Sequence, residues 1–184
     1  VVTDASRPVV AADAATTYAP RPEREAPAAD GPTASAAAVG DATGAMAGLM
    51  AAMEESAAHP GTPEEARAIL GRFALSAETM PEESFVAFFA DVAGAEFPEG
   101  YACTAVHAET GEFVVWDAAS KVDVQWAVAS SCSVPGVFPP ITIDGARYID
   151  GGMRSGLNAD VAAGHDLVVV VSCMASSMPG VDDP

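Results

Sequence analysis

The sequence predicts a layered α/β domain in which a sheet is flanked by helices. Apolar residues recur at spacings of three and four over residues 41–97, and the period changes to two from residue 101. A continuous β-branched run at residues 167–171 is typical of a strand buried on both faces. Half of the 184 residues are hydrophobic, which is enough for one domain with a core. Because helices precede the strands, we expect residues 1–184 to form a single partial domain whose early strands are missing.

The first half of the chain is expected to be helical after a linker. Residues 1–38 are rich in Ala and Pro and are expected to be linker-like. Residues 41–58 have the spacing of a helix, and Thr62, Pro63 and Glu65 form the capping box of the next one. A third helix is expected from residue 79. The apolar residues expected to be buried by the first and third helices are Met46, Leu49, Met50, Met53, Phe85, Phe88, Phe89 and Val92.

The second half, residues 101–172, is expected to be rich in strands. Residues 101–108 and 112–117 alternate as two strands of a hairpin, and a short helix capped at residues 120–123 follows them. Residues 141–143 and 147–149 predict a second hairpin around Asp144 and Gly145.

Composition excludes several classes of function. The formal net charge is −18, so the surface should repel nucleic acid, and loose adsorption to anionic lipid is disfavoured. No apolar run reaches the roughly 20 residues of a membrane helix. The three cysteines, Cys103, Cys132 and Cys173, have no metal-ligand spacing, and we expect them to be buried thiols of a protein in the reducing cytoplasm. No signal peptide is visible.

Asp150 is the strongest candidate for a chemical role. It follows an apolar strand and precedes Gly151 and Gly152. Carboxylates at the carboxyl end of a strand lie where open α/β sheets place their active sites. The glycines offer positive φ angles and leave room for close approach. We therefore expect Asp150 to end a strand and to face a cleft, with partial burial raising its pKa.

Residues 129–172 resemble the catalytic-aspartate half of the patatin-like phospholipases, the bacterial type of serine acyl hydrolase. The resemblance is carried by the segment 131–140, which reads SCSVPGVFPP, by Asp150-Gly151-Gly152 and by Asn158-Ala159-Asp160. It implies that Asp150 pairs with a nucleophilic serine without a histidine, and that Asn158 fixes the loop after the motif. The family takes its serine from a Gly-x-Ser-x-Gly elbow, and this pentapeptide does not occur in the sequence. The chain is therefore expected to be the C-terminal part of such an enzyme.

The resemblance implies cleavage of lipid or phospholipid acyl esters without a metal or organic cofactor. This chain alone is expected to be inactive, because it has the base but not the serine. An alternative is a catalytically inactive member that binds acyl chains or a protein partner, and a Ser-His-Asp esterase is a weaker rival. His59, His107 and His165 have no motif around them and are expected to be structural. Arg154 is expected to form a half-exposed ion pair of little energetic value.

Overall fold

The computed structural model describes residues 42–172, which form four α-helices, four strands and three 3₁₀ turns. The helices are α1 (Ala42–Ala58), α2 (Pro63–Ser76), α3 (Glu82–Val86) and α4 (Val124–Ser131). The strands are β1 (Cys103–His107), β2 (Phe113–Trp116), β3 (Ile141–Ile143) and β4 (Ala146–Asp150). The 3₁₀ turns are Ala87–Val92, Gly151–Met153 and Ala159–Ala162. The expected linker, residues 1–38, lies outside the described residues.

The four strands form one antiparallel sheet in the order β2-β1-β4-β3. Ala105 of β1 lies opposite Asp150 of β4, and Val106 lies opposite Ile149. Since successive residues of a strand point to opposite faces, this register assigns Ile149 to one face and Asp150 to the other. β1 and β4 are the central strands, but β3 pairs with β4 only up to Tyr148, so Asp150 has a strand neighbour on the β1 side alone.

Helices cover both faces of this sheet, as the sequence predicts for a layered α/β domain. On one face Val106 and Ile149 pack with Leu49 and Met53 of α1 and with residues of α2. On the other face a second core combines strand residues with side chains of α3 and α4. Its buried members are Phe85, Val86, Cys103, Ala105, Trp116, Ala127, Ala129, Ile141 and Ile143.

Local sequence signals explain why these elements begin and turn where they do. Thr62 Oγ1 accepts a hydrogen bond from Glu65 N at 3.2 Å, and Glu65 Oε2 accepts one from Thr62 N at 2.8 Å, so the predicted capping box is present. The β3–β4 hairpin turns at Asp144 and Gly145, whose φ angles are 51° and 81°. Two successive positive φ angles are the geometry of a tight type I′ turn, which favours Asp-Gly.

Several sequence predictions about burial are wrong. Residues 167–171 form no strand, and Leu167 and Val169 are about 80% and 77% exposed. A β-branched run becomes a strand only when another strand supplies backbone partners, and no strand of residues 42–172 pairs with it. Met46, Met50 and Phe88 are also exposed. Phe88 turns outwards because the third helix gives way to a 3₁₀ turn after Val86, which changes the spacing of the apolar face.

Candidate active site

Asp150 is the last residue of β4, and its backbone and side chain are both held. Asp150 N donates to Ser133 O at 2.9 Å, which joins the end of β4 to the segment after α4. Asp150 Oδ1 accepts from Gly152 N at 2.7 Å, so the carboxylate caps the 3₁₀ turn Gly151–Met153. Oδ2 accepts no hydrogen bond from residues 42–172. One carboxylate oxygen is therefore fixed and the other remains available.

Burial raises the pKa of the Asp150 carboxyl from 3.8 to about 6, and the hydrogen bond from Gly152 N opposes this shift. The face that Asp150 shares with Ala105 is the one covered by α4. Cys132 lies at the C-terminal cap of that helix. Partial burial of the thiol, although the residue as a whole is exposed, and then the charge of Asp150 raise the pKa of Cys132. The site is thus a half-buried carboxylate beside the Cys132 thiol, and it takes up a proton more readily than a free aspartate.

Of the two glycines after Asp150, Gly151 is required for space and Gly152 is more tightly placed than usual. A Cβ on Gly151 would lie 2.1 Å from Thr104 Oγ1 and 2.5 Å from the backbone oxygen of Thr104. A Cβ on Gly152 would lie 3.0 Å from Asp150 Oδ1. The expectation of positive φ angles here is wrong, since neither glycine adopts one. The tight turn packs directly onto β1, and this packing leaves no room for a side chain.

Asn158 lies in the loop that follows this turn. Its backbone is left-handed, with φ 47°, and its side-chain amide points back toward the motif. Asn158 Nδ2 donates to Gly151 O and to Ser155 O, both at 3.0 Å, and approaches Thr104 Oγ1 at 3.4 Å. The amide therefore connects the loop to the turn after Asp150 and to β1.

A cleft of about 430 Å³ opens beside Asn158. Its walls come from Gly100 and Ala102, which precede β1, and from the segment 156–171, and Asp150 is not among the residues that line it. Most of the lining residues have apolar side chains, and Asn158 and His165 supply the polar ones, but more of the exposed lining surface is polar than apolar. The cleft is therefore next to the loop of the motif, and it does not confirm the expectation that Asp150 faces a cleft.

The serines and histidines near the motif have structural contacts. Ser133 is fully buried, and its hydroxyl donates to Pro139 O. Ser155 is buried too, and its Oγ accepts from Leu157 N and Asn158 N. His107 Nδ1 accepts from two backbone N–H groups of the β1–β2 turn. His59 lies 3.8 Å from Glu65, and His165 is exposed.

The family model for patatin-like phospholipases matches residues 7–163. The chain belongs to the patatin-like phospholipase family. The match includes Asp150, both glycines and Asn158, and it extends well upstream of the segment that carries the sequence resemblance. No curated protein matches the chain significantly. Membership of a patatin-like family indicates a lipid acyl hydrolase domain, consistent with the layered α/β fold around Asp150.

The described part of the chain also shows whether membrane-spanning helices, metal-binding clusters and free cysteines are present. Among residues 42–172, no helix is long and apolar enough to cross a bilayer, and no cluster of three or more His, Cys, Asp or Glu could hold a metal ion. Cys103 is buried, whereas Cys132 is exposed, which corrects the expectation for that residue. Cys132 is uncovered because it caps the end of α4. Cys173 lies outside the described residues.

Sequence reasoning gave Thr104 and Ser133 no place in the site, and for Arg154 it predicted only a half-exposed ion pair, which is present with Asp160. Thr104 lies against Gly151 from the neighbouring strand, and Ser133 supplies the carbonyl that holds Asp150 N. Arg154 contacts the loop of Asn158. A signal for Ser133 was present, because it belongs to the segment 131–140 that resembles the family. Thr104 and Arg154 have no local motif, and their contacts depend on strand pairing and loop closure.

Proposed function

We propose that Asp150 is the general base of a serine–aspartate acyl hydrolase that cleaves carboxylic esters of lipids or phospholipids. The observation that carries the proposal is a half-buried carboxylate at the end of a central strand, with one oxygen held by Gly152 N and its pKa raised to about 6. A base works best when its pKa lies near the working pH, and an ordinary aspartate is too acidic for that purpose.

In this proposal a serine hydroxyl donates its proton to Asp150 Oδ2 as the serine oxygen attacks the ester carbonyl carbon. The protonated carboxyl then gives the proton to the departing alcohol oxygen, and water repeats the sequence to release the fatty acid. No serine of the sequence lies in a Gly-x-Ser-x-Gly pentapeptide, so the proposal assigns neither the serine nor the oxyanion donors to a residue. The reaction requires no metal or organic cofactor.

Gly151, Gly152 and Asn158 have supporting roles in this proposal. Gly151 lets the turn pack onto Thr104, and Gly152 N fixes the orientation of the carboxylate. The Asn158 amide binds the carbonyl of Gly151 and thereby fixes the turn. A base must be held within hydrogen-bonding reach of the proton that it removes, so these contacts favour a fixed position for Oδ2.

The decisive experiment replaces Asp150 by asparagine in a form of the protein that also contains the nucleophile. We expect hydrolysis of a short p-nitrophenyl ester to fall by a factor on the order of 10² to 10⁴, the usual scale for loss of a general base. Asp144→Asn makes the same chemical change in an exposed hairpin turn and should leave turnover intact. Alanine variants of His59, His107 and His165 should each retain most of the activity.

Near-normal turnover of Asp150→Asn would remove this residue from the mechanism and favour a binding role for the domain. Loss of activity in one histidine variant that still folds would favour a Ser-His-Asp esterase.

A parallel experiment incubates residues 1–184 with a fluorophosphonate probe and maps adducts by mass spectrometry. We expect no labelling, because Ser133 and Ser155 are buried and engaged in hydrogen bonds. Stoichiometric labelling at Ser131, Ser133 or Ser155 would identify a nucleophile within the chain and contradict the proposal.

A further inference from the structure

Arg154 connects β2 to the loop that follows β4. Its guanidinium stacks on the Phe113 ring, with Cζ 4.2 Å from the ring centroid. NH1 and NH2 donate to the two carboxylate oxygens of Asp160 at 2.8 and 2.6 Å. NH1 also donates to Asn158 Oδ1 at 3.1 Å. We call Arg154, Phe113, Asn158 and Asp160 the Arg154 clamp.

The ion pair alone does not explain this arrangement. Asp160 is exposed, and exposed ion pairs contribute little to stability. The Phe113 ring stacks on the face of the planar guanidinium, and Asp160 and Asn158 accept hydrogen bonds at its edge. Together these contacts fix its orientation. A residue that is held so firmly can in turn orient the group to which it donates.

That group is the side-chain amide of Asn158. A guanidinium has only donors, so it selects the amide oxygen as its partner. The amide nitrogen is thereby directed to the opposite side, where it donates to Gly151 O at 3.0 Å. Arg154 N donates to the same carbonyl at 3.0 Å. Arg154 therefore holds the carbonyl next to Asp150 twice, once through its own backbone and once through Asn158.

We propose that Arg154 is a positioning residue for Asp150: the Arg154 clamp orients the Asn158 amide, which fixes Gly151 and keeps the turn closed over the carboxylate. The relevance to catalysis rests on the proposed function, whereas the effect on the turn does not. When the clamp is broken, Gly151 O loses a donor of fixed direction. The turn then opens and water reaches Asp150.

The test is the titration of Asp150 by ¹³C NMR of its carboxyl carbon in the 184-residue chain. Opening of the turn hydrates the carboxylate, and hydration favours its charged form. We expect Arg154→Gln to lower the pKa of Asp150 by about one pH unit, and Arg154→Lys to lower it less, because lysine keeps the charge without the planar fork. Arg67→Gln is the matched control: Arg67 also pairs with a carboxylate, Glu64, at 2.8 Å, but it lies on α2.

A purely structural role would change the melting temperatures of the Arg154 and Arg67 variants without moving the titration of Asp150, and this result would overturn the proposal. If Arg154→Gln does not fold, Asp160→Asn decides the question, because it weakens the clamp and keeps Arg154. A smaller shift in the same direction supports the proposal, and an unchanged titration overturns it. The Cys132 thiol at the end of α4 interacts with Asp150, and Cys103 lies on the same face of β1 as Ala105; both thiol pKa values are raised, so they titrate in a separate range.

Activity gives a second readout in a form of the protein that contains the nucleophile. We expect Arg154→Gln to lower kcat about tenfold with little change in KM, since a displaced base affects the chemical step and not substrate binding. In the Asp150→Asn background the same change should have no further effect. An equal loss in both backgrounds would place Arg154 outside the pathway through Asp150. If Asp150→Asn retains full turnover, the proposed function fails, and the NMR titration still tests the clamp.

Discussion

Asp150→Asn should stabilise the folded chain at neutral and alkaline pH, although it should abolish the proposed chemistry. Burial raises the pKa of Asp150 from 3.8 to about 6, so the folded state favours the protonated carboxyl. The pKa of Asp150 thus differs by about two units between the folded and the unfolded chain. This difference corresponds to about 3 kcal/mol in the free energy of unfolding, since one pKa unit is about 1.4 kcal/mol. Asparagine has nearly the same shape, retains an oxygen that can accept from Gly152 N, and carries no charge.

The direction of the pKa shift of Asp150 determines the pH range in which Asp150→Asn stabilises the fold. Below the ordinary value of 3.8 the carboxyl is protonated in the folded and the unfolded chain, so Asp150 adds no penalty. As the pH rises toward about 6, the unfolded chain releases its proton first, and the stability of the wild type falls. At higher pH the full penalty is present. We expect Asp150→Asn to gain about 1–3 kcal/mol at about pH 8 and little at about pH 4.

Urea unfolding followed by tryptophan fluorescence measures this difference, because Trp116 is buried near β1. Asp144→Asn is the control, since Asp144 is exposed in the β3–β4 turn and should show no comparable dependence on pH. Equal free energies of unfolding for wild type and Asp150→Asn at both pH values would refute the reasoning. A less stable asparagine variant at about pH 8 would mean that the charged carboxylate has a stabilising partner in the fold.

Two further predictions concern packing and solubility. Gly151→Ala should destabilise the fold by about 1–3 kcal/mol, because its Cβ would meet backbone atoms of Thr104; Gly156→Ala, with nothing within 4 Å of its added Cβ, is the control in the same thermal unfolding experiment. Equal melting temperatures for the two variants would contradict this account. Val169→Lys should slow aggregation, as followed by light scattering, because it places a charge within the exposed apolar run. Ala163→Lys adds the same charge outside the run, and an equal benefit from it would point to net charge as the cause.

The sequence predicts those parts of the fold that depend on neighbouring residues in the chain. The capping box at Thr62 and the turn at Asp144 and Gly145 are determined by contacts within four residues, and both are present in the structure. Residues 167–171 show the opposite case. Their β-branched side chains favour a strand, but a strand also requires partners, and these are not encoded in the segment itself.

In the candidate site, too, some features follow from neighbouring residues in the sequence and others depend on the fold. Asp150 stands out because a short motif surrounds it, and its position at the end of a strand follows from the apolar run before it. Thr104 acts through a residue that is distant in the chain, whereas Arg154 combines one distant contact, the Phe113 ring, with hydrogen bonds to Asn158 and Asp160 four and six positions away. Thr104 is 47 positions from Gly151, and Arg154 stacks on a ring from another strand. No periodicity or local spacing in the sequence predicts the contact of Thr104 with Gly151 or that of Arg154 with Phe113.

The alternation along β4 restricts how this domain can vary in length. Ile149 belongs to the core under α1 and α2, whereas Asp150 lies on the opposite face of the sheet. Insertion or deletion of one residue within Ala146–Asp150 would exchange these two faces, placing a carboxylate in an apolar core and an isoleucine at the site. The Asp144-Gly145 turn lies at the other end of the strand and is exposed. Length changes can therefore accumulate at that turn during divergence, while the strand that carries the aspartate keeps its residue count.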